Sequence, residues 1–218
     1  MIRIPANYSI SLYNNYIMDY LVYSMTGIMN GRIPPVLDFR EEEEARKRGE
    51  KFRRIRSLLK CELSRRCGIP ATEIHFSYGA HGKPSIPQYE FNISHSEDCL
   101  CMAFHHTPIG IDVEKIRPRD MDRLAPRFMA EEQLAAFRER SCPVDEFFAC
   151  WCAAEALVKQ AGDTIWNAAA YPFIYSAGSI IPLFEQAPQV WLFTPMPGYC
   201  GAIAYRPSAA LSDLPNPI

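Results

Sequence analysis

Residues 41 to 67 constrain the fold more than any other stretch of the chain. Phe52, Ile55, Leu59 and Leu63 recur at intervals of three and four, the spacing that lines one face of an α-helix. Gly68-Ile69-Pro70 then supplies a stop, because glycine accepts the left-handed conformation that ends helices and proline cannot continue one. The pattern predicts one long amphipathic helix. Its other faces carry ten of the chain's 23 Lys and Arg residues, Lys51 and Arg54 among them. Such a face is either solvated and paired with Glu41 to Glu44 or a surface that receives anions.

The rest of the chain alternates short β-prone runs with two further helical patterns. Strands are expected at residues 8–13, 20–23, 73–77, 91–94, 99–105, 109–113, 171–175, 189–193 and 199–205, and helices at 131–140 and 144–162. The βαβα rhythm of a parallel sheet is missing, which argues for the α+β class. The apolar runs 99–104 and 200–205 resemble one another, a faint internal echo. From Pro207 onward a loose tail is expected.

Of the 218 residues 48% are hydrophobic and 22% charged, with a net charge of -2. That composition suits a folded globular chain and does not suggest general nucleic-acid affinity. No basic start leads into an apolar run with a cleavage site, Asp19 interrupts the apolar stretch 16–29, and no run reaches the ~20 apolar residues of a membrane helix. A soluble, cytoplasmic protein is expected. The eight cysteines include two C-x-C pairs within apolar segments and no C-x-x-C, so buried free thiols fit better than disulfides or zinc. His105 and His106 follow Cys101, yet neighbours on a strand point to opposite faces and chelate poorly together.

The chemistry concentrates in three places. Residues 109–114 read as a buried strand on which Asp112 and Glu114 project to one face. Two carboxylates there repel each other unless a cation lies between them, and Mg²⁺ is commonly held by one or two carboxylates with waters and phosphate oxygens. On the helix at 144–162, Trp151, Glu155 and Lys159 form one stripe. Glu155 and Lys159 make either an intrahelical pair worth ~0.3–0.5 kcal/mol or a third metal ligand beside a phosphate-binding ammonium. Ser94, His95 and Ser96 end a strand with groups that donate to an oxyanion, and Gly82-Lys83-Pro84 sets a lysine in a permissive backbone where a phosphate can approach.

Taken in order, Gly82-Lys83-Pro84, Phe91-Asn92-Ile93-Ser94-His95-Ser96, Ile109-Gly110-Ile111-Asp112-Val113-Glu114, Arg127-Phe128-Met129-Ala130-Glu131-Glu132 and the run from Trp151 to Lys159 resemble the signature series of the 4′-phosphopantetheinyl transferases. Length suggests similarity to the larger, Sfp-type branch. The resemblance implies two similar α/β halves in a pseudo-twofold arrangement, each a small, mainly antiparallel sheet packed with a long helix. Their expected extents are 1–107 and 108–206, the second carrying the metal site, with a tail at 207–218. It implies a monomer that transfers the phosphopantetheine arm of coenzyme A to a serine of an acyl or peptidyl carrier protein and releases 3′,5′-ADP. Asp112, Glu114 and Glu155 would ligate Mg²⁺, and Glu155 would also help deprotonate the serine. Lys159 and His95 would steady phosphate oxygens. Lys83 and Ser94 would hold the nucleotide end, and Lys51 or Arg54 would meet the 3′-phosphate. The family helix motif reads W-x-x-K-E-(A/S)-x-x-K, whereas this chain has Ala154 at the first lysine. The alternative expectation is therefore a relative that binds coenzyme A or a carrier protein without transfer.

Overall fold

The computed structural model describes residues 18–139 and 144–207. The expected strand at 8–13, residue 140 and the tail after 207 lie outside the described residues. Strand β1 (Asp19–Ser24) runs into a short helix α1 (Met25–Asn30), followed by α2 (Phe39–Arg48) and α3 (Glu50–Cys67). The hairpin strands β2 (Ser77–Tyr78) and β3 (Pro84–Ser85) precede β4 (Glu90–Ser96) and β5 (Cys99–His105). Then come β6 (Ile109–Lys115), α4 (Met121–Leu124), α5 (Glu131–Glu139), α6 (Val144–Ala161), β7 (Phe173–Ser176), β8 (Ser179–Pro182), β9 (Gln189–Phe193) and β10 (Tyr199–Tyr205).

The class is α+β. Two three-stranded antiparallel sheets have the orders β1-β5-β4 and β6-β10-β9, and two two-stranded hairpins complete the set. In each larger sheet the first strand in the chain pairs with the last, and an 18-residue helix lies between its first and second strands. The echoing runs 99–104 and 200–205 lie in β5 and β10, the central strands of the two sheets.

The single helix expected over 41–67 is two. Gly49 takes φ +89 and ψ 179, which ends α2 and lets the chain fold back, so that Glu41 Oε2 meets Lys60 Nζ at 2.6 Å. Nineteen residues of unbroken helix would hold them roughly 28 Å apart. The expected strand at 73–77 is also shorter. Residues 71–73 form a 3₁₀ turn closed by Glu73 N donating to Pro70 O (2.8 Å), which leaves only Ser77–Tyr78 to pair. The second strand of the late hairpin, β8, went unread, although Ala177 (φ +49) and Gly178 (φ +79) make a tight turn of positive φ suited to the twist of a hairpin.

All seven β5 residues are buried, because both faces of the strand are covered. Leu100, Met102 and Phe104 pack with Leu58, Leu59 and Leu63 of α3. Cys99, Cys101 and Ala103 turn to Ile109, Ile111 and Val113 of β6 and Ile203 of β10, which joins the two sheets. With Ile109, Ile111 and Val113 facing that core, period-two alternation turns Gly110, Asp112 and Glu114 the other way. A Cβ at Gly110 would lie 2.0 Å from Ala156 O and 2.4 Å from Gln160 N. The missing side chain is what lets α6 lie close enough on β6 for its side chains to reach the two acids.

Candidate active site

β4 and β6 are edge strands of their sheets, and they are tied together by side chains. Asn92 Oδ1 accepts from Ile111 N (2.9 Å), Ser94 Oγ from Val113 N (3.3 Å) and Ser96 Oγ from Lys115 N (3.1 Å). Alternate residues share a face of a strand, so N-x-S-x-S sets three acceptors in step with every second amide of β6. The hydroxyls then donate onward, Ser94 to Asp112 Oδ1 (2.8 Å) and Ser96 to Glu114 Oε2 (2.8 Å). Each serine thus links a backbone amide of one sheet's edge to a site carboxylate. Ser94→Ala is expected to lower stability by about 1–3 kcal/mol, since it strands the Val113 N–H and removes a donor from Asp112. A urea midpoint unchanged from wild type would contradict this.

From the opposite side α6 brings Glu155 and Lys159. Lys159 Nζ lies 2.6 Å from Asp112 Oδ1, 3.4 Å from Ser94 Oγ and 4.0 Å from Glu155 Oε2. The i,i+4 contact expected within the helix is therefore the longer one, and Lys159 chiefly serves Asp112. Burial alone would lower the Lys159 pKa, but attraction to Asp112 and Glu155 outweighs it and the net direction is up. Trp151, on the same stripe, packs edge-on against Phe128 at 5.2 Å and orients the helix.

Burial pushes the Glu114 carboxyl above its ordinary pKa, with the Asp112 charge adding to the rise while Ser96 and Arg119 oppose it. Glu155 is raised by burial first and then by Asp112 and Glu114, against the pull of Lys159. Asp112 Oδ2 is buried with no hydrogen-bond partner among the described residues. Among the described residues no three metal-ligating side chains already stand close enough to hold an ion, and the ammonium of Lys159 reaches Asp112 and Glu155. The donor set nonetheless fits a hard divalent cation: carboxylate oxygens only, one of them orphaned and two belonging to acids that burial and mutual repulsion hold back from ionising.

Beside the acids lies a cavity of ≈ 470 Å³, with Lys159 and His95 in its wall. Lys51 and Arg56 of α3, Arg48 of α2, and His81 and Lys83 of the loop between β2 and β3 also line it. Asp163, the one acid among the described lining residues, is already taken by Thr164 N (2.7 Å), Asn167 Nδ2 (2.8 Å) and the Tyr171 hydroxyl (3.0 Å). Burial and the nearby charges of Lys51 and Lys159 hold the His95 imidazole below its ordinary pKa. Its Nδ1 is 3.5 Å from Lys51 Nζ, so an anion arriving here meets a crowded set of cationic groups.

The structure separates the expected nucleotide-end residues. Lys51 faces the cavity, but Arg54 donates to the Ile28 and Gly31 carbonyls (3.0 and 2.9 Å) and to Glu50, which fastens the end of α1. Lys83 lines the cavity yet donates to Ile109 O (3.0 Å) and Lys159 O (2.7 Å), where it caps the last turn of α6. Burial lowers its pKa, against the pull of Glu90. Arg48 and Arg56 were not singled out from the sequence. Their guanidinium groups lie over the Phe52 ring, at 4.2 and 5.3 Å, and Arg56 also over Phe76 at 4.5 Å. The four-residue spacing of Phe52 and Arg56 was a usable signal. Cys99, Cys101, Cys150 and Cys152 are buried and unbridged.

Residues 108–175, which include β6 and α6, match the family model of the 4′-phosphopantetheinyl transferase superfamily. Over 110 residues the chain is 34% identical to the 4′-phosphopantetheinyl transferase Sfp of Bacillus subtilis, covering 48% of this chain and 49% of that one. It is 31% identical to the transferase gsp of Aneurinibacillus migulanus, over 48% of this chain and 45% of the relative. With the transferase AcpT of Salmonella typhimurium it shares 33% identity over 48% of this chain and 55% of the relative. The matched segment spans about half the length of these curated relatives. Its strand and helix are the two elements that bring Asp112, Glu114, Glu155 and Lys159 together, so the similarity to the 4′-phosphopantetheinyl transferase superfamily falls on the part of the chain that builds the site.

Proposed function

We propose that this protein is an enzyme that moves the 4′-phosphopantetheine arm of coenzyme A to a serine of an acyl or peptidyl carrier protein and releases 3′,5′-ADP. The observation that carries the reading is that a cavity lined with cations and a cluster of three acids share one residue, Lys159, which lines the first and bonds Asp112 in the second. A phosphate-bearing nucleotide in the cavity would thus present its pyrophosphate to the acids. The carrier serine oxygen forms a bond to the phosphorus next to the pantetheine arm. The bond from that phosphorus to the bridging oxygen breaks, and 3′,5′-ADP leaves with the electron pair. The serine proton passes to Glu155, directly or through a water.

Asp112, Glu114 and Glu155 would hold a magnesium ion, which supplies charge neutralisation at the pyrophosphate. Lys159 and His95 steady the phosphate oxygens, and Lys51 with Arg48 and Arg56 receives the 3′-phosphate. Ser94 fixes Asp112, and Lys83 holds the loop between β2 and β3 against the end of α6. We read the two sheets and their long helices as two like halves, 1–107 and 108–206, in a pseudo-twofold arrangement with the site at their seam. The protein acts as a cytoplasmic monomer. No helix among the described residues is long and apolar enough to cross a membrane.

The test is to incubate the protein with coenzyme A, Mg²⁺ and a panel of apo-carrier proteins, reading phosphopantetheine on serine by mass. Modification that requires Mg²⁺ is the expected result. No gain on any carrier, with an active transferase as control, would sink the reading. One observation favours the second reading, binding without transfer: Ala154 is 2% exposed within the core of α6, so that helix offers the acids Lys159 alone. Coenzyme A binding with no modified carrier would select it.

A further inference from the structure

Glu114 has two polar neighbours. Ser96 Oγ donates to its Oε2 at 2.8 Å, and Arg119 Nη2 stands 3.6 Å from the same oxygen. The first distance is a hydrogen bond and the second is too long for one. Arg119 belongs to the turn after β6, which is pinned by Met121 N donating to Arg119 O at 3.0 Å. Its Nε is buried and has no hydrogen-bond partner among the described residues, while the side chain as a whole is 28% exposed. Neighbouring cations are engaged: Lys159 bonds Asp112 at 2.6 Å and Arg117 bonds Glu97 at 3.2 Å. Among the described residues Arg119 is a guanidinium beside the acids that forms neither the paired fork a carboxylate invites nor any other side-chain hydrogen bond.

Charge points to what it awaits. Three carboxylates set against the single ammonium of Lys159 leave two negative charges, which one divalent cation cancels. A bound pyrophosphate then adds negative charge that α6 cannot meet, because position 154 is a buried alanine. We propose that Arg119 is a further phosphate-contacting residue of this site, turning its Nε and Nη groups from Glu114 to a pair of phosphoryl oxygens when the pyrophosphate is bound. A guanidinium fork matches two such oxygens where an ammonium offers only a point charge. The inference rests on the transferase reading for the identity of the ligand, and on the Arg119 geometry for the contact.

The test compares wild type, Arg119→Gln and Arg119→Lys by calorimetric titration with Mg²⁺ alone, magnesium pyrophosphate, and coenzyme A with Mg²⁺. Arg119→Gln should weaken both anions about tenfold to a hundredfold and leave Mg²⁺ affinity within about twofold, and Arg119→Lys should recover part of the loss. A residue that merely braces Glu114 would give the reverse, a fall in Mg²⁺ affinity with unchanged anion binding, and that result overturns the proposal. So does wild-type affinity for both anions in Arg119→Gln. Arg119→Lys keeps the charge beside Glu114 and is read in the same way, so the outcome does not hang on the stability of one variant. If wild type binds magnesium pyrophosphate through Arg119 but not coenzyme A, the transferase reading falls and the Arg119 contact stands. If wild type binds neither, both are overturned.

Discussion

Lys60→Met is expected to destabilise the protein by about 3–5 kcal/mol, the cost of leaving one partner of a buried ion pair uncompensated. Lys60 is fully buried in α3, and its ammonium lies 2.6 Å from Glu41 Oε2. Glu41 is itself 8% exposed, its Oε1 has no hydrogen-bond partner among the described residues, and the other cation beside it, Arg56, stands with Nε 4.0 Å away, too far to hydrogen-bond. Adding Glu41→Gln should return much of the loss. The amide oxygen can still accept from Asp38 N, the capping-box bond of 3.1 Å, and the uncompensated carboxylate is gone. Urea denaturation of the two single variants and the double variant gives the coupling directly. Additive losses would show that the pair does not act as a unit.

That buried pair also marks where the sequence stopped being legible. The apolar stripe on α3 was readable because Ile55, Leu59 and Leu63 answer to one local rule, helical periodicity, and β5, β9 and β10 have the expected bounds because short apolar runs are equally local. Lys60 looked like part of a solvated face. Nothing within its own turn says otherwise: its partner is nineteen residues earlier, brought back by the left-handed backbone of Gly49. The site divides in the same way. Asp112 and Glu114 share a face as period two requires, and Glu155 and Lys159 share a stripe as period 3.6 requires. Which ammonium meets which acid depends on the approach of α6 to β6 over Gly110, a tertiary fact. The same limit hid the seam role of Ser94 and Ser96, whose amide partners lie on another sheet, and it hid Arg119, whose loop carries no periodic signal.

Asp112→Asn should lower carrier modification by roughly a hundredfold to a thousandfold and remove measurable Mg²⁺ binding, while the chain stays folded. Asparagine keeps the shape and an oxygen for Ser94 and Lys159, so the seam persists. It loses the charge that holds Lys159 at 2.6 Å and the orphaned oxygen most available to a cation. The pH behaviour separates this from simple misfolding. Glu114 and Glu155 are raised by burial first and by the Asp112 charge next in turn, with hydrogen bonds and nearby cations opposing. In the metal-free protein the native state therefore holds protons that the unfolded chain has already lost, and these two acids make stability fall as pH rises through that interval. A cation that binds their ionised forms must displace those protons, so wild-type Mg²⁺ affinity should climb with pH and binding should release protons. Replacing Asp112 removes one source of the rise, which shifts both ionisations to lower pH. Titration in two buffers of different ionisation enthalpy measures the protons released. A variant that kept wild-type Mg²⁺ affinity and proton release would move the metal away from Asp112, and the three-acid site would have to be redrawn around Glu114 and Glu155.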